Sequence, residues 1–210
     1  MLPAQPEVEI ERVRFAERHA ARTADLKAAN DRLRGEIDLR RKAEARARRQ
    51  ARTDELTGLN NRRGFLTLAT RRYRLDSRAG KPSCLLFADV DGLKAVNDTE
   101  GHTAGDRLIA SIGKAFRTTF GETYIVGRLG GDEFAVYGSG AGESPETLRR
   151  QLTKAVSGVG RRVGVAASLS AGIACATRDH APPFEALLRA ADGAMYAEKQ
   201  AKRTRNNGAR

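Results

Sequence analysis

The sequence contains no tryptophan, and aromatic residues make up only 5% of its 210 residues. Proteins that bind single-stranded nucleic acid stack the bases on aromatic side chains, so this scarcity argues against a single-strand binder. Histidine is scarce as well, because His19, His102 and His180 are the only three and lack the spacing of zinc ligands. We therefore expect neither a base-stacking surface nor a zinc site.

Long apolar runs and cysteines are also few. No stretch approaches the roughly 18 apolar residues of a membrane span, and the N-terminus lacks the apolar core of a signal peptide. We expect a chain of cytosolic character without a membrane span. Cys84 and Cys175 lie far apart in apolar stretches, and we expect both to be reduced thiols in the core.

Charge is abundant and unbalanced. Lysine and arginine number 38 against 26 acidic residues, which gives a formal net charge of +12, while 40% of the residues are hydrophobic. This composition is typical of a folded globular chain. The positive charge predicts an anionic partner, although charge alone does not choose among nucleotide, nucleic acid and membrane.

Residues 1–52 differ from the rest because helix breakers are rare and Ala, Arg and Glu predominate. Leu26, Asn30, Leu33 and Ile37 follow alternating spacings of four, three and four, which is typical of a short coiled-coil seam. An asparagine at such a position favours a parallel dimer in one register. A dimer-forming helix is the favoured interpretation, and a solvated single helix is the alternative.

The segment 40–52 (RRKAEARARRQAR) is intensely basic. A solvated helix that leads into the next domain is the common reason for such a run, and contact with nucleic acid or lipid is the alternative.

Residues 53–205 alternate short apolar runs with amphipathic stretches, which predicts one mixed α/β domain. Ser144 followed by Pro145 is typical of a helix N-cap with proline at the first helical position. Residues 206–210 form a short basic tail. We predict strands at residues 83–89, 123–129, 133–137 and 167–174, and helices at residues 103–120, 145–156 and 183–202.

The most informative stretch is an acidic turn between two predicted strands, Gly130-Gly131-Asp132-Glu133-Phe134. Its glycines permit a tight turn and close approach of a ligand to the backbone. Two adjacent carboxylates repel each other without a countercharge, and Asp89 ends another apolar run. If the strands are neighbours, Asp89 and Asp132 converge on one hard cation such as Mg²⁺. Taken by itself, the turn is equally consistent with a solvent-facing acidic loop.

Several separated motifs, in family order, resemble the GGDEF family of diguanylate cyclases across almost all of residues 54–205. The opening stretch DELTGLNNRRGF is similar to the family's DxLTGLxNRRxF signature. DVDGLKAVND, followed by GH and GD, is similar to DxDxxKxxND and GHxxGD. The acidic turn lies in RLGGDEF, and SAGIA and ADGAMY resemble the C-terminal signatures.

The resemblance implies a palm-like α/β (α+β) fold, in which helices wrap a central, mainly antiparallel five-stranded sheet, preceded by a long N-terminal helix. It also implies condensation of two GTP molecules into cyclic di-GMP and two pyrophosphates with Mg²⁺ or Mn²⁺. Asp89, the Val90 carbonyl and Asp132 would hold the metal, with Glu133 adding negative charge at a second-metal side. The catalytic residues would be Asp132, Glu133 and Lys94. We assign Asp132 to the metal rather than to the general base, because a metal-bound carboxylate has a depressed proton affinity.

The same resemblance implies a triphosphate site. Backbone N–H groups of Gly92 and Leu93 at a helix start would grip phosphate oxygens, and Lys94, Lys199 and Arg203 would add cationic contacts. Taken singly, Lys199 and Arg203 are equally consistent with solvated helix charges. Their spacing of four residues places both on one helical face, which suits a shared anion.

Asn97 and Asp106 match the family's guanine-reading pair. A carboxylate can accept from guanine N1–H and N2–H₂ together, whereas adenine offers no such pair of donors. GTP should therefore be preferred to ATP. A turn residue and a helix-start charge are the alternatives for these two positions, and their joint spacing favours base recognition.

Some positions depart from the family pattern. Gly92 and Leu93 stand where bulkier, commonly aromatic residues are frequent, and Lys202-Arg203-Thr204 replaces the usual Gly-Arg-Asn. Gly121 and Tyr124 occupy the positions of the RxxD product-inhibition motif. We therefore predict that this inhibitory site is absent.

The resulting hypothesis is an active cytoplasmic cyclase that works as a homodimer joined through its N-terminal helix. The domains would be a helix at 1–52, a catalytic domain at 53–205 and a tail at 206–210. The alternative is a catalytically silent GTP-binding signalling module. A nucleic-acid-binding protein is a third hypothesis, and the missing aromatic platform and the guanine-reading pair argue against it.

Overall fold

A computed structural model describes residues 14, 15, 19, 22, 26, 27, 30–41, 51–140, 144–160, 164 and 167–207. The chain divides into two compact units, residues 1–50 and residues 51–210. In the first unit, residues 30–41 are helical. Ala51 and Arg52 form a turn, so these two residues of the predicted segment 1–52 are not helical. Residues 42–50, which hold most of the basic run, lie outside the described residues.

The second unit alternates helices and strands. In chain order these are α1 (Arg62–Arg78), β1 (Ser83–Val90), α2 (Leu93–Glu100), α3 (His102–Phe120), β2 (Ile125–Gly130), β3 (Glu133–Ser139), α4 (Pro145–Ser157), β4 (Leu169–Ala176) and α5 (Phe184–Asn207). The last helix ends five residues later than predicted, at Asn207, so it includes the first two residues of the predicted tail. None of the helices in the described part of the chain is both long and apolar enough to span a membrane.

The sheet has the strand order β2-β3-β1-β4, and every neighbouring pair is antiparallel. This confirms the predicted α/β class and the predicted hairpin around the acidic turn. The predicted count of five strands is wrong, because the described residues form four. At the β2 edge, Asn60 makes an isolated bridge to Gly127. This contact stays a single bridge because α1 begins only two residues later, at Arg62.

Strand β1 is buried along its whole length and separates two apolar layers. Leu86 and Val90 pack with residues of α3 and α4 on one face. Leu85 and Phe87 pack with residues of α1 and α5 on the other. Side chains alternate along a strand, so Asp89 faces the layer that contains α5.

Helix α5 packs closely against β4 at Gly172. A Cβ atom at this position would clash with the backbone of α5 at Ala191 and Met195. Only a residue without a side chain therefore permits this approach. The close packing brings the C-terminal half of α5 to the end of β1 that carries Asp89.

Two helix starts have side-chain caps, but only one was predicted. The Ser144 side chain accepts from the Thr147 N–H, with Pro145 at the first helical position, as predicted. Asn61 caps α1 by accepting from the Gly64 N–H at 2.9 Å. Helix α1 itself was missed, because its arginine-rich sequence hides the apolar stripe that Phe65, Ala69 and Tyr73 form.

The prediction of two reduced cysteines is wrong in this structure. Cys84 and Cys175 are register partners on β1 and β4 and are joined by a disulfide, with their Cα atoms 4.0 Å apart. They are separated by 91 residues in the sequence. Antiparallel pairing therefore creates a contact that their spacing does not reveal.

Candidate active site

The acidic residues meet where β1 ends beside the β2–β3 turn. Asp89 is the register partner of Glu133, and the Val90 N–H donates to the Asp132 carbonyl at 3.0 Å. The structure therefore places the predicted metal ligands at one end of the sheet. The relation follows from the β1–β3 pairing and could not be read from the chain order.

The carboxylates at this end are electrostatically crowded. Burial raises the pKa of Asp89, and the charges of Asp132 and Asp91 raise it further, against the lowering effect of Lys199. Burial and the charge of Asp132 also raise the pKa of Glu133, partly offset by Arg62. Each carboxyl group is thus less easily ionised than in water. Lys199 and Arg62 do not fully offset burial and the neighbouring negative charges, so an added cation would favour the ionised forms.

The oxygen atoms at this end suit a hard divalent cation. Asp89, the Val90 carbonyl and Asp132 supply the kind of donors that Mg²⁺ uses. Lys199 Nζ lies 2.6 Å from Asp89 Oδ1 and provides a positive charge at the same carboxylate. No group of three or more His, Cys, Asp or Glu side chains is assembled to hold a metal among the described residues.

A cleft of about 480 Å³ lies next to these carboxylates. Four basic side chains of α5 line it: Lys199, Lys202, Arg203 and Arg205. The other lining residues are Asp91 and Gly92, which follow β1, and Ser168, which precedes β4. The predicted phosphate residues Lys199 and Arg203 are thus brought together with Gly92. The cleft is strongly cationic and suits a multiply charged anion.

The loop after β1 presents a helix N-terminus to the cleft. Gly92 adopts a left-handed conformation with φ of 74° at the N-cap of α2, without a side-chain cap. The uncapped N–H groups at Leu93 and Lys94 are available to an anion. The Lys94 side chain is exposed on the first turn of α2, outside the residues that line the cleft.

The predicted guanine pair lies at the corner between α2 and α3. Asn97 Oδ1 is buried and has no hydrogen-bond partner among the described residues. A Cβ at Gly105 would clash with this oxygen, so the glycine lets the amide lie against α3. Asp106 follows Gly105 directly and is exposed. A buried acceptor without a donor is costly, so the chemistry of this corner suits a ligand with N–H groups.

Sequence reasoning missed the role of Arg128. Its guanidinium donates to the Gly131 carbonyl at 2.8 Å and pairs with Asp54 at 3.2 Å. Asp54 also accepts from the Thr57 hydroxyl and N–H at 2.7 and 2.9 Å. Arg128 therefore connects the turn that precedes α1 to the acidic turn. Both residues lie inside the matched motifs, but their 74-residue separation conceals the contact.

A second missed network holds Asp91, two residues beyond Asp89. Its carboxylate accepts from Ser168 Oγ at 2.8 Å, Ser170 Oγ at 2.6 Å and Lys202 Nζ at 3.0 Å. Burial raises its pKa, but these hydrogen bonds and the charge of Lys202 outweigh that effect, so the pKa is lowered overall. Asp91 is thus held as an anion that ties the loop after β1 to β4 and α5.

The positions of the missing inhibitory motif have other contacts. Gly121 ends α3 with φ of 60°. Tyr124 packs edge-on against Phe120 and accepts a hydrogen bond from Gln151 Nε2 at 3.2 Å. The absence of the inhibitory site stays a prediction.

Residues 51–205 match the family described as "Diguanylate cyclase, GGDEF domain". The chain therefore belongs to the GGDEF diguanylate cyclase family.

Two curated relatives carry cyclase names. The chain is 34% identical over 172 residues to diguanylate cyclase DosC of Escherichia coli, covering 80% of this chain and 37% of DosC. It is 37% identical over 162 residues to diguanylate cyclase TpbB of Pseudomonas aeruginosa, covering 74% of this chain and 37% of TpbB. The chain thus spans little more than a third of these relatives.

Solved GGDEF structures share the fold. The coiled coil and GGDEF domain of DgcB from Caulobacter crescentus, in complex with c-di-GMP, matches with a TM-score of 0.71 and 28% identity, covering 87% of this chain and 94% of DgcB's. Diguanylate cyclase SiaD of Pseudomonas aeruginosa, in complex with its activator SiaC, matches with a TM-score of 0.68 and 25% identity, covering 93% and 76%.

Proposed function

We propose that the protein is a diguanylate cyclase that condenses two GTP molecules into cyclic di-GMP and two pyrophosphates, with Mg²⁺ or Mn²⁺, as a cytoplasmic homodimer. One observation carries the proposal. The fold sets crowded carboxylates, a cationic cleft and an unpaired buried amide oxygen around one end of the sheet. A nucleoside triphosphate with its metal has the charges and donors that complement all three.

The carboxylate end would hold the metal through Asp89, the Val90 carbonyl and Asp132, with Glu133 beside it. A bound divalent ion would neutralise charge on the phosphates during attack by a ribose 3′-oxygen. The chain's own contribution is to keep the acids close through the β1–β3 pairing. Lys199 would then be released from Asp89 to contact phosphate.

The cleft would position the triphosphate for an in-line displacement. Lys199 and Arg203, the N–H groups at Gly92 and Leu93, and Lys94 would hold its oxygens. Fixing the α-phosphorus in place would remove much of the entropic cost of a bimolecular reaction from the activation barrier. Pyrophosphate, as the leaving group, would remain on the same cationic side chains.

The corner between α2 and α3 would select guanine. Asn97 Oδ1 would gain the donor that it lacks among the described residues, and Asp106 would accept from N1–H and N2–H₂. Adenine would leave these acceptors unpaired, so we expect GTP to be preferred to ATP by at least about tenfold.

A homodimer would bring two such sites together. Leu26, Leu33 and Ile37 of the N-terminal helix are 67%, 57% and 50% exposed in the single chain. A parallel partner helix would cover this seam, with Asn30 setting the register. Joining two domains through it raises the effective concentration of one site near the other.

The direct test is incubation with GTP and Mg²⁺, followed by chromatographic analysis of the products. We expect cyclic di-GMP and pyrophosphate, and no cyclic di-GMP from Asp132→Ala. Tight GTP binding without product would instead identify the silent signalling module. Binding of oligonucleotides in preference to GTP would support the nucleic-acid hypothesis.

The dimer is tested by deleting residues 1–52 and measuring specific activity over a dilution series. We expect the deleted protein to lose activity on dilution more steeply than the full chain. Equal specific activity at every concentration would show that the N-terminal helix does not join the domains.

A further inference from the structure

Lys202 on α5 is held by three acceptors from three parts of the chain. Its Nζ donates to the Leu169 carbonyl at 2.6 Å and to Asp91 Oδ2 at 3.0 Å, and it pairs with Glu198 at 3.3 Å. An ammonium group has three donors. Two of these donors make hydrogen bonds, and the Glu198 carboxylate is a further ion-pair partner, so Lys202 is directed at protein oxygens although it lines the cleft.

The contacts of Lys202 converge on the loop that follows β1. Asp91 is fixed to β4 by Ser168 and Ser170, and its N–H donates to the Ser168 carbonyl at 3.0 Å. Lys202 adds a contact from α5 to the same carboxylate and to the start of β4. The loop, the strand and the helix are thereby joined at one point.

The next residue in the loop is the uncapped N-cap Gly92, whose left-handed backbone is accessible to few other residues. Glycine lets a ligand approach the backbone closely, but it also leaves the backbone flexible. The position of the N–H groups at the start of α2 therefore depends on what holds the residue before Gly92. That residue is Asp91.

We infer that Lys202 is a positioning residue, which fixes the Asp91–Gly92 loop to α5 so that the N-terminal amides of α2 stand ready for the triphosphate beside Lys199 and Arg203. The inference rests on the proposed function for the identity of the anion. The rigidity that Lys202 gives to the loop does not depend on it.

The first measurement uses the full chain without nucleotide or metal. Amide exchange of Asp91 and Val96, whose N–H groups donate to the Ser168 and Gly92 carbonyls at 3.0 and 3.2 Å, is compared in the wild-type protein, Lys202→Met, Lys202→Arg and Lys154→Met. Lys154 is an exposed lysine on α4 outside the cleft and controls for the loss of one positive charge. We expect exchange to quicken about tenfold in Lys202→Met, to return towards wild type in Lys202→Arg and to stay unchanged in Lys154→Met. Unchanged exchange in Lys202→Met would overturn the inference.

The second measurement is the affinity for 3′-deoxy-GTP with Mg²⁺, since this nucleotide lacks the attacking hydroxyl and is not consumed. We expect Lys202→Met and Asp91→Asn each to weaken binding about tenfold, and the double variant to bind no more weakly than either single variant. Additive losses would show that Lys202 contacts phosphate directly and would overturn the positioning role.

The two proposals fail in different ways. If the wild-type protein binds no guanine nucleotide or makes no product, while Lys202→Met still quickens exchange at Asp91 and Val96, the cyclase proposal fails and the role of Lys202 in the loop stands. If the wild type is an active cyclase and Lys202→Met matches it in both measurements, the inference about Lys202 fails alone.

Discussion

Two carboxylates near opposite ends of β1 show how differently one fold can treat a buried acid. Asp76 on α1 is 2% exposed and accepts from Arg72 Nε at 2.9 Å and from Tyr137 OH at 2.9 Å. Asp89 is 6% exposed and has one cation, Lys199, against the neighbouring charges of Asp132 and Asp91. The first acid is satisfied by the protein, whereas the second is left short of positive charge.

This difference separates an acid whose interactions are completed within the protein from one that a ligand could complete. A satisfied buried carboxylate contributes to stability, because removing it leaves its partners without an acceptor. A crowded carboxylate with a raised pKa opposes folding as its charge forms, and a ligand can supply the missing compensation. The variants below test this comparison.

Asp89→Asn should have the largest effect on activity. If Asp89 holds the metal, cyclic di-GMP formation should fall by at least about 100-fold, because a bound metal contributes several kcal/mol to the transition state. Thermal stability without metal should be unchanged or higher, because like-charge crowding is relieved. Asp179→Asn, which changes an exposed acid in the loop after β4, serves as the control. A loss of less than tenfold in Asp89→Asn would argue against the metal role.

Asp76→Asn should show the reverse pattern. The buried Tyr137 hydroxyl and the Arg72 guanidinium lose a charged acceptor, so the free energy of unfolding should fall by about 1–3 kcal/mol. Denaturant unfolding measures this loss, and activity per folded molecule should stay close to wild type. Tyr137→Phe, which removes only one of the two hydrogen bonds, should cost less. Unchanged stability in Asp76→Asn would show that Asp76 does not stabilise the fold and would contradict its contrast with Asp89.

Lys199→Met tests whether the lysine and a metal compete for Asp89. Without nucleotide, the affinity for Mn²⁺ should rise roughly fivefold, since about 1 kcal/mol of ion pairing no longer has to be broken. Electron paramagnetic resonance of free Mn²⁺ provides a readout that does not need activity. Lys154→Met is again the matched control. Weaker or unchanged Mn²⁺ binding in Lys199→Met would contradict the competition.

Asp54 extends the comparison to the pH dependence of stability, where we expect the smallest of these effects. Burial raises its pKa, but hydrogen bonds from Thr57 and the interactions with Arg128 outweigh burial, so the pKa lies below 3.8 overall. A lowered pKa contributes stability above pH 3.8, and this contribution is lost as the pH falls through the folded-state value. Unfolding measured between about pH 2 and pH 5 should therefore show a shallower acid loss in Asp54→Asn than in wild type. Parallel curves would show that Asp54 is not stabilised by the fold.

Much of the fold could be predicted because its signals are local. The apolar run of β1, the cap at Ser144 and the glycines of the acidic turn each determine the backbone within a few residues. Helix α1 escaped prediction because its arginines obscured a narrow apolar stripe. The predicted fifth strand is not found among the described residues, where Asn60 makes only an isolated bridge at the edge of β2.

Part of the candidate site could also be predicted, because its signals are local in the sequence. The acids and the glycines around them lie in contiguous motifs, so the residue types and their spacing indicate metal and phosphate chemistry. The contacts of Arg128 with Asp54 and of Lys202 with Asp91 join residues 74 and 111 positions apart. No local pattern marks such pairs.

The sequence by itself determined the types of most elements and the candidate site residues, because both depend on neighbours along the chain. Only the tertiary structure decided that Asp89 faces α5 and Lys199, that Cys84 pairs with Cys175 and that Lys202 contacts Asp91 beside the cationic cleft. These relations arise from strand register and from the close approach of α5 at Gly172. They became visible only when distant segments packed together.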